Sequence, residues 1–561
     1  MTDTKAFLAI TLIALAACQT AQPPVAPAFE VRSALPPVSA ETVERHVAAL
    51  SDDDFLGRAP GTEGGLKTRA YLVAEMQRIG LKPLGDSFEH PIALVSRTLD
   101  PAQSRARVSM RGGFDDLSYG PEAVFWSKRD TTRLSVQGSE LVFVGHGVVA
   151  PEYGWNDYDG LDARGKTVVI LINDPGFRLE GEAFRGRAMT YYGRWTYKFE
   201  EAARQGAEAA IIVHQTEPAA YGWGVVEGSW SGPQLDLPRT EGAEQPVAVE
   251  GWMTQEQAEA LFSAAGQSFE AMEQAALRRD FKPVTLGDLT FSAELFQDMS
   301  ITESANVAGV LEGSERPDEY ILYTAHWDHL GVDPEAQANG EDGIYNGAVD
   351  NATGTGGILA MAESWTASGI APKRSHIFLA VTAEESGLLG SRAFASNPPV
   401  SLAKIVGGLN VDGMLPTAPA KDLTVYGFGA SELEDILGLV AGEQGLRLTP
   451  DPEPQKGYFY RSDHIEFAKR GVPMLYVDNG RDLVEGGIAA GEAAAAAYRA
   501  GPYHGPTDEY DPNTWRFDGI VQAMTILRDV GVVLSEDPAR PNWYEGNEFR
   551  AFRDAQLLQD E

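Results

Sequence analysis

Cysteine is almost absent from this 561-residue chain, in which Cys18 is the only one. A single cysteine cannot form an intramolecular disulfide, and it excludes a zinc cluster built from several thiolates. Basic residues are also scarce, because 45 Lys and Arg stand against 81 Asp and Glu for a formal net charge of -36. Phosphates would repel such a chain, which argues against nucleic acid as a partner.

Residues 1–17 contain a twelve-residue apolar run behind Lys5, which is too short to span a bilayer but suits the core of an export signal. The run ends in the letters LAAC, which resemble the lipobox of bacterial lipoproteins. The resemblance implies cleavage before Cys18 and lipid chains on that residue, which would be the protein's contact with a membrane. We expect export to the periplasmic face of the cell envelope. Secretion without an anchor stays open, because Asp3 weakens the positive charge before the run.

The length exceeds what one hydrophobic core usually supports, so we expect two folded units with tails. Proline is frequent in residues 18–37, where we predict a semi-extended tether. Residues 38–130 and 286–540 are expected to form one unit. Residues 131–285 change to short strands with glycine-rich turns and are expected to fold as an insert, and residues 541–561 are predicted to be a C-terminal tail.

Strand-like apolar runs in the larger unit end at imidazole and carboxylate side chains. The runs and the residues that follow them are 320–325 before His326, 375–382 before Glu384 and Glu385, and 405–411 before Asp412. Sites form at the carboxyl ends of strands in open α/β sheets. We therefore expect a mixed, mostly parallel open sheet flanked by helices, with these side chains at one edge.

Six side chains have the chemistry of a metal site: His326, Asp350, Glu384, Glu385, Asp412 and His504. Taken singly, each is more simply explained as a structural hydrogen-bonding residue. Zinc accepts imidazole and carboxylate ligands, and two ions that share a bridging carboxylate need five protein ligands in all. The set supplies five ligands and one further carboxylate.

Residues 39–130 and 286–535 resemble the co-catalytic zinc aminopeptidases, the family of bacterial leucyl aminopeptidases with glutamate carboxypeptidase, glutaminyl cyclase and the transferrin receptor as relatives. The motifs that carry the resemblance are GRAPGTEG before a helix ending in IGLKP, VDNATGTGG, NVDGM and PYHGPTDEY. The resemblance implies an α/β fold of the zinc exopeptidase type and two Zn²⁺ ions per chain.

Each metal-type residue has a role in that family. By motif, Asp350 corresponds to the carboxylate that bridges the ions, and Glu384 to the general base that takes a proton from water. The family groups the remaining ligands as two pairs, His326 with Asp412 and Glu385 with His504. Neighbouring residues on an extended segment point to opposite sides, so Glu384 and Glu385 can divide their roles only if the backbone turns after residue 382.

Three further side chains are expected to support the site. Asp328 is placed to accept the second N–H of the His326 ring, and Asp508 is expected to do the same for His504. Tyr503 matches a family tyrosine that stabilises the oxyanion of the tetrahedral intermediate, with aromatic packing as the alternative. Asn351 departs from the second aspartate that many members carry, and a cis peptide is expected before it.

The insert resembles the protease-associated domain through VFVGHGVVAPEYGWNDYDGLDARGKTVVILINDP and KFEEAARQGAEAAIIV. That domain shapes access to the cleft and performs no chemistry, so we expect structural roles for His146 and His214. We also expect His464 to support a wall of the site, and residues 458–461 to border the substrate pocket.

These observations predict an exported metallo-aminopeptidase that acts on peptides with a free N-terminus. Three alternatives stay open. A carboxypeptidase would need basic residues for the terminal carboxylate of its substrate, of which Arg461 is one. A glutaminyl cyclase would use one zinc, and a receptor-like binding protein would have lost ligands. The sequence gives neither the oligomeric state nor the preferred residue.

Overall fold

The computed structural model describes residues 25–110, 113–179, 181, 183–230, 232–239 and 245–560. Cys18 and the predicted signal peptide lie outside these residues. None of the described helices is both long enough and apolar enough to cross a membrane.

The described helices are α1 (Val25–Ala34), α2 (Ala40–Leu50), α3 (Glu63–Ile79), α4 (Trp195–Arg204), α5 (Thr216–Ala219), α6 (Trp223–Ser229), α7 (Gln255–Ala264), α8 (Phe269–Ala275), α9 (Pro334–Ala338), α10 (Thr353–Ser368), α11 (Leu389–Ser396), α12 (Leu433–Glu443), α13 (His464–Ala468), α14 (Gly487–Ala500), α15 (Asp518–Glu536) and α16 (Arg550–Asp560).

The described strands are β1 (Lys82–Pro83), β2 (Glu89–Leu99), β3 (Arg105–Met110), β4 (Gly113–Asp116), β5 (Ala123–Trp126), β6 (Arg133–Phe143), β7 (Val149–Ala150), β8 (Trp155–Asn156), β9 (Thr167–Leu171), β10 (Ala209–His214), β11 (Pro233–Asp236), β12 (Val249–Thr254), β13 (Val284–Leu311), β14 (Arg316–His326), β15 (Gly331–Val332), β16 (Ile344–Tyr345), β17 (Arg374–Val381), β18 (Ile405–Asn410), β19 (Asp422–Tyr426), β20 (Arg447–Pro450) and β21 (Met474–Asn479).

Strand β14 lies at the centre of the larger unit, between β17 and β18, and is parallel to both. Strand β21 continues the parallel arrangement beside β18, whereas β13 runs antiparallel to β17 and β19 runs antiparallel to β21. Helices such as α10 and α15 pack on this sheet and share its main hydrophobic core. The predicted mixed, mostly parallel sheet flanked by helices is confirmed.

Local sequence signals account for the helices that precede this sheet. The side chain of Ser39 caps α2 by accepting from the backbone N–H of Thr42, and Thr62 caps α3 in the same way. Gly80 ends α3 with φ at 91°, a left-handed conformation that glycine adopts at little cost. The cap at Thr62 places the start of α3 at Glu63.

The inserted unit is built around a second group of strands, in which β6, β9, β10 and β12 run parallel to one another. Its antiparallel strands include β3 and β4, and β3 pairs with the first half of β13. Strands β3 and β4 thus join this group of strands although they precede residue 131, the boundary that the sequence predicted.

Strand β13 belongs to both groups of strands. Its residues 284–296 pair with β3 and β6 of the insert, and its residues 297–311 pair with β2 and β17 of the larger unit. One continuous strand of 28 residues therefore leads the chain out of the insert and into the larger unit.

Both predicted terminal segments differ from the structure where it describes them. The tether was expected to be semi-extended over residues 18–37, but residues 25–34 form α1, and Arg32 pairs with Glu443 at 2.8 Å. The predicted tail at 541–561 is also wrong, because Trp543 and Phe549 are buried in a hydrophobic core with strand residues of the larger unit.

Candidate active site

The carboxyl ends of β14, β17 and β18 meet at one edge of the sheet. In the ladder of hydrogen-bonded strands, His326 lies opposite Val381, and Thr324 lies opposite Asn410. The loops that leave these strands therefore bring His326, the Glu384-Glu385 pair and Asp412 together, as the strand pattern predicted. His326 and Asp412 are in direct contact, with 3.1 Å between Nε2 and Oδ1.

Asp350 lies between the two histidines of the site. Its Oδ1 is 3.2 Å from Nε2 of His326, and its Oδ2 is 3.3 Å from Nε2 of His504. His504 also approaches Glu385, with 3.0 Å between Nε2 and Oε2. Each carboxylate oxygen of Asp350 therefore faces a different set of ligand-type atoms. These contacts pair the same residues that the family resemblance groups.

The site concentrates negative charge, and the histidines offset it. Burial would lower the pKa of His326, but the charges of Asp412 and Glu384 outweigh burial and raise it well above its ordinary value. Burial also opposes the charged form of His504, whose pKa the charge of Glu385 raises to about 11. The cluster thus stabilises positive charge at two places, one on each side of Asp350.

Glu384 lies on a turn that separates it from Glu385. Ala383 has φ at 53°, which is uncommon for a residue with a side chain, and the backbone N–H of Gly387 donates to the carbonyl of Glu384 at 2.8 Å. This is the turn that the sequence required after residue 382. Burial, together with the charge of Glu385, raises the pKa of Glu384 well above its ordinary value.

A chain of hydrogen bonds fixes Asp412. The hydroxyl of Ser462 donates to Oδ2 of Asp412 at 2.6 Å, and the amide of Asn410 donates to Ser462 at 2.7 Å. Thr324 in turn donates to Asn410 at 2.7 Å. The carboxylate is therefore held through the interior of the sheet, which keeps Oδ1 directed at His326.

Asp328 and Asp508 support the site differently from the prediction. The Nδ1 atom of His326 faces the backbone carbonyl of Asp328 at 3.1 Å, whereas the carboxylate of Asp328 accepts from the backbone N–H of Glu384. The carboxylate of Asp508 accepts from the backbone N–H groups of Val349 and Asp350, each at 3.0 Å. Sequence proximity suggested imidazole partners, but both carboxylates satisfy backbone donors on neighbouring loops.

Asn351 is buried and follows the expected cis peptide, which is present between Asp350 and Asn351. Its amide nitrogen donates to the carbonyl of Val411 at 3.0 Å, and its Oδ1 accepts from the backbone N–H groups of Gly354 and Gly413. The asparagine therefore ties the segment of Asp350 to the segment of Asp412.

Sequence reasoning missed the role of His329. Its Nδ1 lies 2.6 Å from Oε1 of Glu385, and the side chain is fully buried. The signal was its position three residues after His326, but the contact depends on a turn that no sequence pattern specifies. His329 thus contacts Oε1 of Glu385, and His504 contacts Oε2 of the same carboxylate.

Arg58, from the GRAPGTEG motif, was also missed. Its guanidinium donates to the backbone carbonyls of Leu50, Trp327, Asn346 and Gly347. The charged forms of Asp508 and Asp328 favour its charge against the cost of burial. Arg58 therefore holds together, through these buried hydrogen bonds, the loops that carry the site.

The other predicted histidines have structural surroundings. His464 is buried between Phe459 and Tyr476, as expected for a wall residue. In the insert, Nδ1 of His146 lies 3.1 Å from the carbonyl of Asn173, and Nε2 of His214 lies 3.0 Å from a backbone carbonyl. These contacts match the structural roles that were predicted.

A cavity of about 830 Å³ opens over the cluster. Asp350, Glu384 and Tyr503 line it from the larger unit, and the ring of Tyr503 stacks on His504 with 4.0 Å between centroids. Residues 458 and 461 also line it, as the sequence predicted. Aromatic residues of the insert, including Trp195 and Trp230, form an opposite part of the lining. Both units therefore enclose the space above the cluster.

The donor set suits divalent zinc. Two groups of possible ligands have all their donor atoms within 4.8 Å of one another: His326 with Asp350 and Glu385, and His326 with Glu384 and Asp412. Imidazole nitrogen and carboxylate oxygen are the donors that catalytic zinc accepts. The two carboxylate oxygens of Asp350 face different histidines, so each oxygen is available to a separate cation.

Comparison with known proteins bears on the segment that carries this cluster. The family model described as Peptidase family M28 matches residues 306–526. That range contains all five predicted ligands and Glu384.

Curated relatives match over short segments. The aminopeptidase NAALADL1 of Rattus norvegicus is 29% identical over 109 residues, which is 18% of this chain and 12% of that protein. A probable zinc metalloprotease of Pyrenophora teres f. teres is 35% identical over 121 residues, 21% of this chain and 24% of that protein. The probable glutamate carboxypeptidase LAMP1 of Arabidopsis thaliana is 30% identical over 137 residues, 24% of this chain and 18% of that protein. The chain thus matches about a quarter or less of each of these relatives.

Solved structures align over most of the chain at low identity. An aminopeptidase from Aneurinibacillus sp. strain AM-1 has 18% identity and a TM-score of 0.47, covering 90% of this chain and 95% of that chain. The zinc aminopeptidase BSAP from Bacillus subtilis has 19% identity and a TM-score of 0.40, covering 91% and 99%. The segment that carries the carboxylate and imidazole cluster at the sheet edge is thus the segment that matches the family model described as Peptidase family M28, residues 306–526.

Proposed function

We propose that this protein is an aminopeptidase that removes N-terminal residues from peptides and holds two zinc ions between His326, Asp350, Glu385, Asp412 and His504. The observation that carries the proposal is the position of Asp350, whose two oxygens face separate histidines at 3.2 and 3.3 Å. When bound, two such ions acidify a water molecule and polarise the scissile carbonyl.

Glu384 is the proton carrier in this proposal. It lines the cavity, and burial with the charge of Glu385 raises its pKa, which makes this carboxylate a stronger proton acceptor than an ordinary glutamate. The carboxylate accepts a proton from the attacking water and donates it to the leaving amine. The turn at Ala383 keeps this role separate from that of Glu385, which His329 and His504 hold.

In this proposal Tyr503 stabilises the oxyanion of the intermediate. Its ring lines the cavity and stacks on His504, and the side chain is 51% exposed. A bound peptide would cover this exposed ring, and its hydroxyl would then be a donor in a drier site. The free amine of the substrate would lie near the carboxylates.

The insert and the N-terminus complete the proposal. The insert is a protease-associated domain that limits access to the cavity, because its aromatic side chains line the space opposite Glu384.

The protein is exported and anchored through lipid on Cys18, on the strength of the LAAC motif. Labelling of exported protein with a lipid precursor, compared with a Cys18→Ser variant, tests the anchor.

A substrate panel tests the activity. We expect hydrolysis of aminoacyl anilides with a free amine and little hydrolysis of the same compounds with a blocked amine. Equal hydrolysis of both would exclude an aminopeptidase.

Metal analysis of the zinc-replete protein is expected to find two equivalents of zinc per chain. A value of one equivalent would favour a mononuclear site instead.

A further inference from the structure

The turn that carries Glu384 has a backbone that its surroundings must hold. Ala383 and Leu388 have φ at 53° and 61°, a left-handed conformation that residues with a side chain adopt only at a cost. The backbone N–H of Leu388 donates to the carbonyl of Glu384 at 2.9 Å. The backbone N–H of Leu389, the first residue of α11, donates to the carbonyl of Ala383 at 3.0 Å. The position of Glu384 therefore depends on where α11 begins.

An ion pair fixes α11 to a segment outside the turn. Arg392 belongs to α11, where its backbone N–H donates to the carbonyl of Leu388 at 2.9 Å, and its guanidinium pairs with Oδ1 of Asp236. Asp236 is 3% exposed, and its Oδ2 pairs with Arg239 at 2.8 Å. Burial opposes the charged form of Asp236, but the charges of Arg392, Lys128 and Arg239 lower its pKa to about 2. The carboxylate is therefore ionised at neutral pH and held between two guanidinium groups.

Apolar contacts on both sides of Asp236 reinforce the ion pair. Leu235 and Leu237 pack against a small core that contains Ala383 and Leu389, one residue from the turn and one from α11. Strand β11, which ends at Asp236, pairs antiparallel with β2 of the larger unit. The segment thus lies within the predicted insert along the sequence, but it packs on the larger unit beside the turn.

This segment and the turn are parts of the same cavity wall. Five of their residues line the cavity: Leu235, Asp236, Glu384, Leu389 and Arg392. Asp236 has little surface to offer a ligand, because it is buried and each of its oxygens meets an arginine. A displacement of about 1 Å in a catalytic group can lower the rate by about 10²-fold, so a contact that only fixes the turn affects catalysis.

We propose that Asp236 is a positioning residue for Glu384, and that it acts through Arg392 and the start of α11. The inference rests on the proposed function, in which Glu384 is the general base. It gives the predicted insert a second task beyond shaping access, because a segment of the insert sequence holds the base in place.

Asp236→Asn tests the effect on catalysis, because the amide keeps the shape of the side chain but loses the charge that binds Arg392. With the aminoacyl anilide that the substrate panel favours, we expect kcat to fall by about 10- to 100-fold. KM should stay within about twofold of the wild-type value, and zinc content should not change. Wild-type kcat in this variant would overturn the proposal.

Arg392→Gln breaks the same contact from its more exposed side, where the arginine side chain is 29% exposed. We expect a similar fall in kcat. The double variant should lie within about twofold of the slower single variant, since both changes remove one interaction. Losses that multiply in the double variant would show that Asp236 does not act through Arg392.

Arg239→Gln is the matched control. It removes the other ion pair of Asp236 and leaves the contact with α11 intact. We expect its kcat to stay within about twofold of the wild-type value. A fall as large as that of Arg392→Gln would overturn the route through α11.

Hydrogen exchange separates this inference from the aminopeptidase proposal. The backbone N–H groups of residues 387–390 donate to carbonyls of residues 382–384, so a loosened turn exchanges them faster. In the zinc-loaded protein we expect exchange about tenfold or more faster in Asp236→Asn, and unchanged in Arg239→Gln. Unchanged exchange in Asp236→Asn would overturn the positioning role even if kcat falls. Faster exchange in a protein that cleaves no anilide would support the hold on the turn while the proposed function fails.

Discussion

At the scale of single residues, the site depends on which oxygen of each carboxylate meets which partner. Asp350 uses its two oxygens for two histidines, and its backbone N–H is held by Asp508. Glu385 likewise offers Oε1 to His329 and Oε2 to His504. Such division fixes side-chain orientation before any ligand arrives, which is the condition for strong metal binding.

Glu384→Gln should separate binding from chemistry. The amide keeps the shape of the side chain but cannot accept the proton, so we expect kcat to fall by about 10²- to 10⁴-fold. Zinc content should stay at the wild-type value, measured by metal analysis of the same preparation. Glu335→Gln, on the exposed helix α9, is the control and should leave kcat unchanged. Full activity of Glu384→Gln would remove Glu384 as the base.

His464 should make stability depend on pH. Burial lowers its pKa to about 3, from an ordinary value of 6.5. Between these values the unfolded chain binds a proton that the folded chain does not, so stability is lost as pH falls below about 6.5. The loss is up to about 1.4 kcal/mol per pH unit for one histidine.

Urea unfolding at pH 7 and pH 5 checks this contribution. His464→Phe fills the space between Phe459 and Tyr476 with an apolar ring and removes the titrating group. We expect the variant to lose less stability than the wild type between the two values of pH. The same loss in both proteins would contradict the assignment.

At the scale of elements, short connections between secondary structures position the site. Arg58 follows α2 and reaches the carbonyl of Trp327 after β14 and the carbonyls of Asn346 and Gly347 before the Asp350 segment. One charged side chain therefore links three segments that are distant in sequence, and its removal would leave buried carbonyls without donors.

Arg58→Met should destabilise the protein by about 3 kcal/mol or more, because an apolar side chain of similar length satisfies none of these carbonyls. Thermal unfolding measures the effect as a lower Tm. Arg164→Met is the control, because Arg164 is 80% exposed and pairs with Asp162 at the surface. That change should alter Tm little. Equal changes in Tm for the two variants would mean that the hydrogen bonds of Arg58 do not stabilise the fold.

The sequence predicted the elements that carry the site better than the contacts among them. The strands before His326, Glu384 and Asp412 are continuous apolar runs, and a parallel sheet places their ends together. The contact of His329 with Glu385 and the backbone partners of Asp508 depend on loops folding onto one another. No periodic pattern encodes such contacts, so they were missed.

At the scale of the whole molecule, segments near the ends of the chain complete the core. The carbonyl of Pro36 accepts from Ser364 and Arg528, which ties the segment after α1 to two long helices. The indole N–H of Trp543 donates to the carbonyl of Gly471 at 3.0 Å. These segments looked like linkers because a single buried tryptophan or one backbone carbonyl leaves no repeating signal in the sequence.

Trp543→Ala should cost about 3 to 5 kcal/mol, the usual loss when a fully buried large aromatic side chain is removed. The free energy of unfolding in urea measures it. Phe552→Ala, two residues after the start of α16, is the control because Phe552 is 55% exposed and should contribute little. If Trp543→Ala unfolds with the wild-type midpoint, residues 541–560 are not part of the core.

Strand β13 limits how far the insert and the larger unit can move relative to each other. The same 28-residue strand is hydrogen-bonded to partners in the insert and in the larger unit, so it connects the two units rigidly. A hinge motion between the two units would have to bend β13 or break some of its backbone hydrogen bonds. We therefore expect ligands to enter and leave the cavity through the movement of side chains and loops at its rim.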